Sequence, residues 1–95
     1  MIPAPSNWNL IEEWENNFIF ENTESSFSVD VTFTEQSAIP YSIGFNQLKG
    51  IFTVIGFEKG AYSTHATTKT EALEKAIEMM LFIDESIKNK NVLVQ

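Results

Sequence analysis

The chain has 95 residues, 43% of them hydrophobic, and a net charge of −7 with no cysteine. That length holds one core, not two, and a chain of this size buries roughly 60–70% of its unfolded surface without needing staples. Disulfides, thiolate metal sites and cysteine nucleophiles are excluded, and an intrinsically disordered chain is not expected at this apolar content.

The charge is unevenly placed. Residues 1–48 hold seven carboxylates (Glu12, Glu13, Glu15, Glu21, Glu24, Asp30 and Glu35) and no lysine or arginine, whereas residues 49–95 hold six acids and six lysines. Such a field repels nucleic-acid phosphate and anionic membrane and attracts basic surfaces. A plain solubility device is the competing explanation of the same acidity. Met1 to Asn9 lacks the basic start and apolar core of a secretory signal, and the longest apolar run, Met79 to Ile83, is too short to span a bilayer. A cytoplasmic protein is expected.

Met1 to Pro5 reads as an extended lead-in. Asn9 with Glu12 three residues on resembles a capping box, and Leu10, Ile11, Trp14 and Phe18 recur at helical spacing. A short amphipathic helix is therefore predicted over residues 10–17, with Glu12, Glu13 and Glu15 near the positive end of its dipole. Trp8 stands outside that helix, with no periodicity to bury it. Phe18-Ile19-Phe20 reads as a short strand and Glu21 to Ser25 as a polar turn.

Phe27, Val29, Val31 and Phe33 alternate with Ser28, Asp30, Thr32 and Thr34, the clearest strand pattern in the chain. Tyr41, Ile43 and Phe45 predict a second alternating strand. Asn46 to Gly50 turns the chain, and Ile51 to Phe57, apolar on both faces, predicts a central strand. Glu58-Lys59-Gly60 fits a hairpin turn, with Ala61 to Ala66 returning beside that strand.

Thr68-Lys69-Thr70-Glu71 is a capping box, and a long helix is predicted over 69–88. Leu73, Ala76, Ile77, Met80, Asp84 and Ile87 share one side, widened by Ala72 and Ile83. Glu71–Lys75 and Asp84–Lys88 are favourable i,i+4 pairs. Phe82 lies opposite the apolar stripe, amid Lys75, Glu78 and Glu85. Val92-Leu93-Val94 forms a terminal strand or packs under the helix, where it would cover Phe82. The expected fold is α+β: an antiparallel meander of about four strands, a short N-terminal helix, and a long C-terminal helix on one face. Phe27, Val29, Val31, Phe33, Ile43, Phe45, Val54, Leu73, Ile77 and Met80 form the expected core.

Catalytic signatures are absent from the sequence. His65 is the only histidine, and no second ligand stands at metal-binding spacing from it. Ser63, Thr64 and Thr67 flank it without forming a recognisable nucleophile motif. There is no GxGxxG, no phosphate-cradling loop and no HExxH. Arginine is missing altogether, which removes the usual bidentate clamp on phosphate or carboxylate substrates. No enzyme activity, metal or cofactor is expected.

Two short stretches carry resemblances. The Thr-Lys-Thr-Glu-Ala run is similar to the strand-to-helix step of small DNA-binding arms in recombinases, but those arms need a basic sheet face. Phe45-Asn46-Gln47-Leu48-Lys49-Gly50 is similar to the Pro-Asp-Leu-Pro-Gly strand end of HicB-type antitoxins, and Thr68 to Leu73 to their Thr-x-x-Glu-Ala-Leu helix start. Here the prolines are missing and an extra hairpin separates the two pieces, so no family assignment follows.

The charge and aromatic pattern fit a small acidic inhibitor that neutralises a basic protein, such as a nuclease toxin or another nucleic-acid-binding protein. Immunity proteins of bacterial toxins and phage-encoded inhibitors share this description. The expected partner-binding residues are Trp8, Glu12, Glu13, Glu15, Glu21, Glu24, Asp30 and Phe82, with the chain a monomer or homodimer. The alternative is an antitoxin or regulatory subunit whose C-terminal helix packs on a partner through Phe82 and Met79.

Overall fold

A computed structural model of the protein describes residues 4–25, 27–47, 52–54, 63–88 and 92–94. The fold is α+β. Its strands are β1 (Trp8–Trp14), β2 (Asn17–Asn22), β3 (Phe27–Phe33), β4 (Tyr41–Gln47), β5 (Phe52–Val54), β6 (Ser63–Ala66) and β7 (Val92–Val94), and its helix is α1 (Lys69–Lys88). Five strands form an antiparallel sheet in the order β1-β2-β3-β4-β6, and β5 pairs with β7 in a separate two-stranded sheet.

The expected N-terminal helix is a strand. Residues 8–14 pair antiparallel with β2 across a two-residue turn, Glu15-Asn16, in which both residues have positive φ, 46° and 71°. That is the conformation of a type I′ hairpin, whose twist matches the flanking strands, and asparagine is one of the few residues that tolerate it. Asn17 holds the turn by donating from Nδ2 to the carbonyls of Trp14 (3.1 Å) and Glu15 (3.2 Å). Its Oδ1 accepts from the amide of Phe33 at 2.9 Å, tying the hairpin to β3. The helical spacing of Leu10, Ile11 and Trp14 misleads because none of the three is buried; the segment's core residues are Trp8, Phe18 and Phe20.

β3 is the centre of the sheet, with two strands on either side. Of the expected central strand over residues 51–57, the described residues 52–54 form β5, which pairs with β7 in the small sheet and not within the five-stranded one. The return strand, β6, pairs with β4 and not with β5. The hairpin turn expected at Glu58-Lys59-Gly60 lies outside the described residues, as do the side chains of β5 and β7. The fate of Val54 as a core residue, and the covering of Phe82 by Val92–Val94, therefore lie outside them too.

Residues directly opposite on neighbouring strands share a face. The inner face carries Phe18, Phe20, Phe27, Val29, Val31, Tyr41 and Ile43, all buried. α1 packs over β3, β4 and β6 and closes this face with Ala72, Leu73, Ala76, Met79, Met80 and Ile83. The helix is rotated slightly from its expected setting: Met79 is buried, while Ile77 is half-buried and Ile87 exposed. Phe33 and Phe45 also sit only half-buried, at the margin of the core. Thr68 caps the helix, accepting from the amide of Glu71 at 3.2 Å, and Glu71 Oε1 reaches back to the amide of Thr67 at 3.0 Å.

Asp84 faces inward from the last third of α1. Its carboxylate accepts from Asn7 Nδ2 (2.7 Å), from Trp8 Nε1 (3.0 and 3.1 Å to its two oxygens) and from Asn22 Nδ2 (3.3 Å). This cluster anchors the start of β1 and the end of β2 to the helix. It buries Trp8 to 3% exposure, so the indole expected at the surface belongs to the core.

Candidate protein-binding face

A single extra residue decides what the outer face of the sheet displays. The β1–β2 register slips between Leu10 and Glu12, so Ile11 is a bulge. Up to Leu10, alternation keeps Trp8 on the inner side. In an unbroken strand Glu12 and Trp14 would follow it there, because the side-chain period is two. The bulge reverses the alternation and turns Glu12 and Trp14 outward.

The outer face then reads in rows across the strands. Glu12 is opposite Ile19, Ile19 opposite Asp30, and Asp30 opposite Gly44. With strands about 4.8 Å apart, Glu12 and Asp30 flank Ile19 with their backbones roughly 10 Å from one another. Gly44 has no side chain to cover the far end of this row. The next row begins with Trp14 opposite Asn17. Trp14 is 64% exposed, the largest exposure among the big hydrophobic side chains described.

Glu12, Trp14, Asn17, Ile19 and Asp30 line a shallow cleft of about 620 Å³ whose wall also includes Glu15, Asn16, Thr32, Phe33 and Glu35. Among the described residues, four carboxylates, on Glu12, Glu15, Asp30 and Glu35, stand around Trp14 and Ile19, and no lysine or histidine lines the cleft. Asp30 Oδ1 accepts from Ser28 Oγ at 3.3 Å, which orients that carboxylate along β3.

The expected site residues separate. Glu12, Glu15 and Asp30 meet in the cleft. Glu13 alternates to the other side of β1, opposite Phe18, and stays exposed at the rim of the sheet. Glu21 lies half-buried on the outer face opposite Ser28, in another row. Glu24 is exposed in the bend after β2, away from the hairpin turn. Trp8 is internal. Phe82, 39% exposed, sits on α1, which covers the opposite side of the sheet, so it shares no surface with the cleft. Sequence reasoning missed Trp14, Ile19 and Glu35 as members of the site. Reading Glu15-Asn16 as a hairpin turn would have found the first two.

His65 is exposed on β6, opposite Ser42. Beside it lies a second shallow depression lined by Thr34, Ser37, Ala38, Ile39, Pro40 and Ser42. The Ser37 hydroxyl there bonds locally, its Oγ donating to the carbonyl of Ile39 at 3.1 Å. Among the described residues no three histidine or acidic side chains are grouped to hold a metal ion, and no helix is long and apolar enough to cross a membrane.

The chain matches no protein-family model, no curated protein and no solved structure.

Proposed function

We propose that this protein is a small acidic inhibitor that binds and neutralises a basic protein, in the manner of toxin-immunity proteins and phage-encoded inhibitors. The observation that supports this reading is the cleft itself: four carboxylates around an exposed tryptophan, on a chain with a net charge of −7. Carboxylates of one sign around a shallow surface accelerate encounter with a basic cleft, and a central aromatic side chain slows dissociation. The glutamates would stand where nucleic-acid phosphates stand in the partner. The protein does this without catalysis, because its work is occupancy of the partner's site.

The test is a pull-down from the parent cell with two baits, the native chain and a Glu12→Lys, Glu15→Lys, Glu35→Lys variant. All three positions are exposed, so the fold tolerates the changes. A basic protein captured by the first and lost from the second supports the reading. A partner retained by both refutes it.

A second reading has its own observation. Leu81 (53% exposed) and Phe82 lie next to one another on the outward side of α1, among the exposed Glu74, Glu78 and Glu85. This apolar patch rimmed by acids suits an antitoxin or regulatory subunit that docks through its helix. Leu81→Asp abolishes binding under this reading and leaves it intact under the first.

A further inference from the structure

The five-stranded sheet ends in two unlike edges. β6 closes one with four residues, whereas β1 forms the other with seven. Among the described residues no strand pairs with the outer edge of β1. In a two-residue hairpin the pair flanking the turn, here Trp14 and Asn17, exchanges both of its backbone hydrogen bonds, and the pair before it exchanges none. The amide and carbonyl of Glu13 thus point away from β2, toward the open edge. Leu10 and Ile11, 41% and 51% exposed, continue the same edge as an apolar step.

Long open edges invite pairing with another chain, and charges and bulges are the usual means of restricting it. Both are present in β1, as Glu12, Glu13 and the bulge at Ile11. They discriminate between occupants. A second copy would bring another chain of charge −7 to the seam. An extended segment with lysine or arginine facing Glu12 and Glu13, and apolar residues facing Leu10 and Ile11, gains on both counts.

We propose that β1 accepts such a basic, extended segment of the partner as an added antiparallel strand. This rests on the reading of the acidic face as the partner-binding surface, and it supplies the mode of recognition. Main-chain hydrogen bonds give affinity, and the alternating side chains select sequence. The added strand would lie alongside Glu12 and Trp14, extending the cleft rather than filling it.

The test uses a blocked peptide, Val-Lys-Lys-Val-Val-Thr, and its copy N-methylated at the first lysine, the one set opposite Glu13. Methylation keeps the charge and removes a ladder hydrogen bond. Titrations followed by NMR at low salt should show the methylated peptide binding at least about fivefold more weakly, the loss of one hydrogen bond plus a steric clash. The parent peptide should slow exchange of the Glu13 amide. Glu13→Pro should abolish binding, since proline is tolerated where an edge amide faces solvent; Glu13→Gln, which keeps the amide, should bind more weakly but retain the preference for the unmethylated peptide. Equal binding of both peptides would overturn strand addition and leave the acidic-face reading standing. Binding of neither overturns it as well, and the pull-down then decides the acidic face separately. A Glu13 amide already protected in the concentrated free protein would assign the edge to a second copy and equally refute the proposal.

Discussion

The indole Nε1 of Trp8 donates to both carboxylate oxygens of Asp84, at 3.0 and 3.1 Å, across 76 positions of sequence. One residue stands at the head of β1 and the other in the last third of α1, so the contact fixes the outermost strand to the element covering the core. Asn7 and Asn22 complete the set, leaving the half-buried carboxylate well satisfied. The acidic cleft depends on this contact indirectly, because burial of Trp8 sets the alternation that the bulge at Ile11 then reverses.

Removing the donor tests that anchor. Trp8→Phe keeps most of the apolar volume but leaves Asp84 without its indole partner, a loss expected to cost about 1–3 kcal/mol. Trp8→Ala adds a cavity and should cost about 3–5 kcal/mol. Asp84→Asn should weaken the same cluster, and the double variant with Trp8→Phe should fall short of the sum of the two singles. Denaturant melts giving strict additivity would mean the two side chains do not act together.

The hairpin has a prediction whose sign is informative. Glycine at position 16 relieves a positive φ, so Asn16→Gly should raise stability by a few tenths of a kcal/mol, and Asn16→Val should lower it by about 1–2 kcal/mol. In a helix over residues 10–17 the glycine would have been the destabilising change. Paired urea melts read the sign directly.

Core positions should divide by burial. Ile43→Ala, at the fully buried centre of the inner face, is expected to cost about 2–5 kcal/mol, whereas Ile87→Ala, on the exposed margin of the helix, should cost less than about 1 kcal/mol. Val31→Ala should resemble the first and Ile77→Ala fall between. Equal losses at Ile43 and Ile87 would mean that α1 packs through a different side.

At the proposed site, Trp14→Ala should weaken partner binding at least about tenfold while leaving the melting curve nearly unchanged, as an exposed hot-spot aromatic does. His65→Ala should change neither. A loss of biological activity in a folded His65→Ala protein would promote the depression beside Ser42 to a working site.

The sequence revealed the parts of this molecule in which one signal acted alone. The alternation of Phe27, Val29, Val31 and Phe33 marks β3, because a strand buried on one face must repeat every two residues. Thr68 and Glu71 mark the start of α1, because the cap chemistry is local. The first hairpin was hidden because Leu10, Ile11 and Trp14 are apolar residues at the surface, and their chance helical spacing outweighed the turn-forming Glu15-Asn16. Strand pairing was less legible still. Nothing local tells β6 to lie beside β4 when β5 is nearer in sequence. The acidity of residues 1–48 marks where carboxylates gather, but the bulge sorts those acids, sending Glu12 to the cleft and Glu13 to the rim. A one-residue slip of that kind leaves no mark in composition.

The central claim, that the outer-face carboxylates steer a basic partner, is tested most directly by stopped-flow association with the protein recovered by pull-down. Rates should be measured between 0.01 and 0.1 M salt, over which the Debye length falls from about 30 Å to about 10 Å. The native chain should associate markedly more slowly as salt rises. Reversing Glu12, Glu15 and Glu35 to lysine should slow association far more than reversing Glu71, Glu74 and Glu78, which lie on the helix among Lys69 and Lys75. An association rate indifferent to salt, or equal slowing by the two triple reversals, would contradict the account and leave the acidic half as a means of solubility.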